Sequence, residues 1–257
     1  MERKAIFFDI DGTLLNHEKE LPEKTEKAVR TLQEEGHFVG IATGRGPFMF
    51  KDLRKTLGID TFVSFNGQYV ESQGEVVLKN RLDPDVLEDM TAFAEKTGHP
   101  LVYMDQHGMR ANREEDLFIQ EAMASLEFAH PPYDPAYRHG RDIFQTLLFC
   151  REQEEDPYKS TFNDFDFIRW HPVSTDVLPM GGSKAKGIEA VARHLNIDHE
   201  DIYVFGDGPN DIEMLSFTDK SVAMGNSVEQ TKQAASFVTK DVDDGGIVHG
   251  LKHFGLL

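Results

Sequence analysis

The sequence is poor in cysteine: Cys150 stands alone among 257 residues. A disulfide within the chain is excluded, a reducing compartment is implied, and the thiol is expected as a small buried apolar side chain. Long apolar runs are also missing. None approaches the roughly 18 residues that a membrane-spanning helix requires. The first strand begins so near Met1 that no signal peptide is expected, and a cytoplasmic location follows. Positive charge is scarce too, with 27 Lys and Arg against 45 Asp and Glu and a net charge of −18. Nucleic acid and anionic membranes would be repelled at long range, so neither is expected as a partner. A phosphorylated metabolite would need local cations to hold it, whereas magnesium would be enriched. The 11 histidines show no metal-like spacing, which argues against zinc. There is no internal repeat or low-complexity segment, and nothing implies an obligate protein partner.

What is present is organised around Lys4–Leu15. The apolar run Ala5–Phe8 ends in Asp9 and Asp11, one residue apart, followed by Gly12 and Thr13. Such a run reads as a strand buried on both faces, which belongs to a parallel sheet whose ligands bind beyond the carboxyl ends of its strands. Two adjacent carboxylates repel each other, and a hard cation with oxygen ligands, magnesium, removes the conflict. The loop lacks the longer Asp-rich repeat of a calcium site.

Further buried strands end at Thr43, Asn66 and Asp207, with helices between them, and the alternation predicts an α/β doubly wound parallel sheet. One helix is expected over residues 47–57. From about Leu82 the rhythm changes to helices, a hairpin and several strands without strict alternation. This predicts an inserted α+β cap domain over 82–180, between core segments 1–81 and 181–257. Pro84 on one side and Pro179, Gly181 and Gly182 on the other punctuate two adjacent crossings, the pattern of a hinged lid.

If the topology holds, Asp9, Asp11, Thr43, Asn66 and Asp207 converge on one sheet edge, with Lys184, Lys186, Asn210 and Asp211 near it. That inventory suits phosphoryl transfer. Asp9 would attack phosphorus, and Asp11 would pass protons to the leaving oxygen and from water. Thr43 and Asn210 would bond phosphoryl oxygens, and Lys184 would offset their charge. Magnesium would sit between Asp9, Asp207 and the backbone carbonyl of Asp11. Each residue also has a plainer reading: Thr43 as a helix cap, Asn66 as a turn former, the lysines as solvated helix residues, Arg45 as a surface or capping residue.

DIDGTLL, IATGR, the Lys184 region and GDGPNDIEML resemble the four motifs of the haloacid dehalogenase superfamily, and more closely its Cof-type phosphatases with a type IIB cap. The resemblance spans the chain. It implies a HAD-like Rossmannoid core and a Mg2+-dependent phosphatase acting on a small phosphorylated metabolite through an aspartyl phosphate. Asp9, Asp11 and Lys184 would be catalytic; Asp9, Asp11, Asp207 and Asp211 would form the metal set. Thr43, Gly44, Asn66, Lys184 and Asn210 would bind substrate. The Lys-Gly pair usual in relatives falls at Lys186 and Gly187, so Lys186 competes with Lys184 for the family lysine. Asp11 points to a phosphatase or a phosphomutase, and an idle binding module on the same fold is the remaining alternative.

Overall fold

The computed structural model describes residues 3–257; Met1, against which the absence of a signal peptide is read, lies outside them. The chain opens with β1 (Ala5–Phe8), α1 (Glu23–Glu34), β2 (Phe38–Ala42), α2 (Lys51–Leu57), β3 (Phe62–Ser64), β4 (Tyr69–Ser72) and β5 (Glu75–Lys79). Next come α3 (Pro84–Thr97), β6 (Leu101–Met104), β7 (Met109–Ala111), α4 (Leu117–Ser125), β8 (Gln145–Leu148), α5 (Asp156–Thr161), β9 (Phe165–His171) and β10 (Ser174–Pro179). The remainder holds α6 (Lys184–Leu195), β11 (Ile202–Gly206), α7 (Ile212–Phe217), β12 (Ser221–Ala223), α8 (Glu229–Ala234), β13 (Phe237–Val238) and α9 (Gly246–His253). Two compact units result. One takes in the chain up to Arg45, Met49–Leu78 and Ser183–Leu257; the other takes in Gly46–Phe48 and Lys79–Gly182.

The first unit is built on an eight-stranded sheet in the order β13-β12-β11-β1-β2-β3-β4-β5. Every residue of β1 is buried, and the strand pairs in parallel with β2 on one side and β11 on the other. Helix α6 carries apolar Ile188, Val191, Ala192 and Leu195 at helical spacing, and Ala185, Ile188, Val191 and Ala192 join one buried cluster with Ala5, Phe7, Val63 and Val204. Fully burying a large side chain such as Phe7 or Ile188 contributes about 1.5–3 kcal/mol. Helices α1 and α9 pack against each other.

Three features of the chain outside residues 82–180 depart from expectation. The sheet is parallel only from β13 to β3, because β4 runs antiparallel to β3. The hairpin of β4 and β5 turns at Gln73 and Gly74, with φ of 54° and 82°. Two left-handed residues match the twist of a two-residue hairpin. Residues 47–57 are not one helix: a 3₁₀ turn over Pro47–Phe50 precedes α2, with the break at Phe50, φ −133°. Short helix α8 is an addition.

The second unit is an α+β module on an antiparallel five-stranded sheet, β7-β6-β8-β10-β9. Its core joins Leu87, Met90 and Ala94 of α3 to Tyr103, Leu148, Tyr158, Phe162 and Val177. Tyr103 is fully buried in this core, and its hydroxyl lies 3.1 Å from Thr91 Oγ1. Arg169 is ion-paired with buried Glu155 and donates to the Cys150 carbonyl at 3.1 Å. Cys150 is buried. Among the described residues no helix is long and apolar enough to cross a membrane.

Candidate active site

The site assembles where β1 and β11 end side by side. Asp9 N–H donates to Phe205 O at 2.9 Å, which carries the β1–β11 pairing one residue past β1. The chain then folds back on itself: Leu14 N–H reaches Asp9 O at 3.2 Å and Gly12 N–H reaches Leu15 O at 2.9 Å. Gly12 is obligatory there. Its φ is +78°, and a Cβ would stand 2.3 Å from Asp207 Oδ2.

Helix α6 delivers the central cation. Ser183 caps it, accepting from Lys186 N–H at 3.3 Å and donating to Glu213 Oε1 at 2.7 Å. Lys184 thereby starts the helix pointing inward, its side chain wholly buried, with Nζ 2.6 Å from Asp9 Oδ1 and 2.6 Å from Asp211 Oδ1. Lys186, the competing lysine, is exposed. Asp211 spends its other oxygen on the backbone, accepting from Asp207 and Gly208 N–H at 2.9 Å each. Asp207 is oriented by Thr13 Oγ1 at 3.2 Å and Asn226 Nδ2 at 3.4 Å, and Asn226 also donates to Gly12 O at 2.9 Å.

Carboxylate oxygens of Asp9, Asp207 and Asp211 lie within 4.8 Å of one another. Three carboxylates against the single Lys184 ammonium leave two negative charges in a buried cluster. The electrostatics record the conflict. Burial pushes Asp9 well above the usual carboxylate range despite Lys184, and burial together with Asp211 pushes Asp207 up to about 6. Burial works against the Lys184 charge, yet Asp211 and Asp9 outweigh it and hold the ammonium above its ordinary range. All-oxygen donors with two charges to spare fit Mg2+.

Asp11 faces other partners. Its carboxylate accepts from Arg45 Nε at 2.8 Å, Arg45 Nη2 at 2.6 Å and Lys19 Nζ at 2.7 Å. Burial alone would raise this acid, but Arg45 and Lys19 more than offset it and hold it below the usual range. As a side chain, therefore, Asp11 stands outside the carboxylate cluster; its expected place in the metal set is through its backbone carbonyl.

Thr43, Gly44, Asn66 and Asn210 are brought together. Thr43 is buried and its Oγ1 accepts from Arg45 N–H at 3.1 Å, while Asn66 N–H reaches Thr43 O at 3.0 Å. Asn210 Nδ2 donates to Asn66 Oδ1 at 3.1 Å. Gly44 admits that amide closely, since a Cβ would lie 3.1 Å from Asn66 Nδ2. Sequence reasoning missed Lys19, Thr13 and Asn226, and read Arg45 as a surface or capping residue. Arg45 had a signal, its position two residues past Thr43 at a strand end; Lys19 and Asn226 sit in loops with none.

A doubly wound sheet with an inserted α+β unit, and acids, a lysine and two asparagines gathered at its strand ends, defines a hydrolase of one kind. The chain belongs to the haloacid dehalogenase-like hydrolases, whose family model matches residues 6–251. It is a phosphatase of that family. It is 45% identical to YkrA, a provisionally named phosphatase of Bacillus subtilis (strain 168), over the full length of both chains. A structure from Geobacillus kaustophilus HTA426, a protein without assigned function, superposes with a TM-score of 0.96 at 56% identity and covers all of both chains. The subclass IIB sugar phosphatase BT4131 gives a TM-score of 0.86 at 32% identity, over 99% of this chain and 100% of its own.

Proposed function

We propose that the enzyme is a Mg2+-dependent phosphatase that removes phosphate from a small phosphomonoester, a sugar phosphate or phosphorylated cofactor, through an aspartyl phosphate on Asp9. The observation that carries this reading is the buried Asp9–Lys184–Asp211 cluster, with Asp207 beside it and two negative charges unbalanced. Asp9, Asp207 and the Asp11 carbonyl would hold the ion, with Asp211 fixing the loop behind them. When bound, the ion supplies neutralisation for the carboxylates and the phosphoryl oxygens.

In the first half-reaction an Asp9 carboxylate oxygen forms a bond to phosphorus as the ester P–O bond breaks, and Asp11 gives its proton to the departing oxygen. In the second, Asp11 takes a proton from water, whose oxygen attacks phosphorus and frees Asp9. Lys184 opposes the effect of burial on Asp9 and faces the phosphoryl charge. Thr43 and the Asn66–Asn210 pair offer hydrogen bonds to phosphoryl oxygens. Asp11 must loosen from Arg45 to carry its proton. The inserted unit, read as residues 82–180, is the natural source of leaving-group selectivity, and a sugar phosphate is favoured by the likeness to BT4131.

Phosphate release from sugar phosphates, nucleotides, pyridoxal phosphate and flavin mononucleotide, with and without Mg2+, tests the reading. Metal-dependent release from one class supports it. Transfer of phosphate within a substrate without release would make the enzyme a mutase.

A further inference from the structure

Strand β12 runs parallel to β11, and its end carries one more polar side chain to the site. Past Ala223, Met224 N–H donates to Gly206 O at 3.0 Å and Gly225 N–H to Lys240 O at 2.8 Å, so the backbone is held on both sides before Asn226 begins. Gly225 permits the second approach, since a Cβ there would stand 2.5 Å from Asp241 N. Asn226 thus reaches the sheet edge of Asp9 and Asp207, as the strand ends of a parallel sheet do.

The Asn226 amide is engaged on three sides. Nδ2 donates to Gly12 O at 2.9 Å and to Asp207 Oδ2 at 3.4 Å, and Oδ1 accepts from Val242 N–H at 3.1 Å. Turning the amide over would set its oxygen against a carbonyl and a carboxylate, and its NH2 against an N–H. Val242 is itself buried, so the anchor is firm. Thr13 Oγ1 lies 3.2 Å from Asp207 Oδ1, so each oxygen of that carboxylate takes one bond from an uncharged donor. Asp11 is held differently, by the cations Arg45 and Lys19. Uncharged donors fix the Asp207 carboxylate in place and leave its charge for an ion.

We propose that Asn226 is a positioning residue for the divalent ion: it holds the Asp207 carboxylate and the Gly12 peptide, next to the Asp11 carbonyl, at one spacing, and the Val242 amide keeps it in the orientation that does so. This role rests on the reading of Asp9, Asp207 and the Asp11 carbonyl as the ion's ligands. Asn226 lends no ligand atom of its own, because its oxygen is taken by Val242 N–H. It acts before the ion arrives, by removing freedom that binding would otherwise have to remove.

Isothermal titration of Mg2+ into the enzyme without substrate tests the role. Wild type is expected to bind the ion, and in Asn226→Ala the dissociation constant should rise roughly tenfold or more. At saturating Mg2+ the substrate KM should stay within about twofold of wild type. Asn226→Ser keeps a polar group at this half-buried position but is too short to reach either acceptor; it should behave the same, and it serves if the alanine variant fails to fold. A merely structural role would lower the melting temperature and leave Mg2+ affinity alone. Affinity unchanged in these variants would overturn the role of Asn226 and spare the metal reading, whereas no Mg2+ binding by the wild type would overturn both.

Discussion

Arg45 grips Asp11 with two parallel hydrogen bonds, Nε to Oδ2 at 2.8 Å and Nη2 to Oδ1 at 2.6 Å, and Lys19 adds a third at 2.7 Å. A planar fork on a carboxylate is the strongest geometry the two side chains can adopt. It also keeps the proposed proton carrier ionised, since these cations more than offset the effect of burial on its acidity.

Removing the fork should therefore move the pH profile. Asp11 has to be protonated to assist the leaving group, so its lowered pKa places the alkaline limb of kcat lower than a free carboxyl would. In Arg45→Ala the limb is expected to shift to higher pH, with the plateau reduced roughly tenfold through loss of positioning. A limb unmoved in kcat–pH measurements would contradict the role given to Asp11.

Lys184 and Lys186 separate cleanly. In Lys184→Met, Asp9 and Asp211 lose their shared cation inside the fold, and breaking a buried pair costs about 3–5 kcal/mol. Turnover should drop by roughly 10²–10³-fold. Lys186→Ala, at an exposed position, should stay near wild type in both urea unfolding and phosphate release. The reverse ranking would hand the role to Lys186.

Much of this site was legible because its residues stand at strand ends. Asp9, Thr43, Asn66 and Asp207 each close an apolar run, and a parallel sheet puts such ends together. Lys184 emerged from its place at a helix start. The β4–β5 hairpin was not legible: its turn is Gln73–Gly74, without the Asn-Gly or Asp-Gly signal, and β5 is half-exposed and does not alternate. Lys19 and Asn226 reach their partners across 8 and 19 residues, and nothing local distinguishes them from solvated loop residues. Tertiary pairing alone selects them.

Asp176 on β10 gives the inserted unit a pH dependence. Burial pushes its carboxyl up to about 7, which the nearby Gln145 and Trp170 side chains only partly offset. The unfolded value is about 3.9. Between about pH 4 and pH 7 the folded protein keeps a proton that the unfolded chain has lost, so stability falls as pH rises through that window and then levels off. Asp176→Asn should add up to roughly 4 kcal/mol at pH 8 and nothing at pH 4. Urea unfolding at both pH values checks the sign, and a loss at pH 8 would contradict it.

Gly67 holds the strand end of Asn66 against the start of α6. Its φ is +97°, and a Cβ would lie 2.0 Å from Ser183 O, a backbone atom that cannot rotate away. Gly67→Ala should cost roughly 2–4 kcal/mol, from left-handed strain and overpacking together. It should also weaken turnover by displacing Ser183 and the lysine after it. Wild-type stability in this variant would show that the approach is looser than described.

The central claim is that Asp9 becomes phosphorylated. Rapid acid quenching of a Mg2+-supported reaction with [32P]-labelled substrate, followed by peptide mapping, reads it directly. The account predicts hydroxylamine-labile label on the peptide containing Asp9, absent in Asp9→Asn along with phosphate release. Label on another residue, or phosphate release that persists in Asp9→Asn, would contradict it.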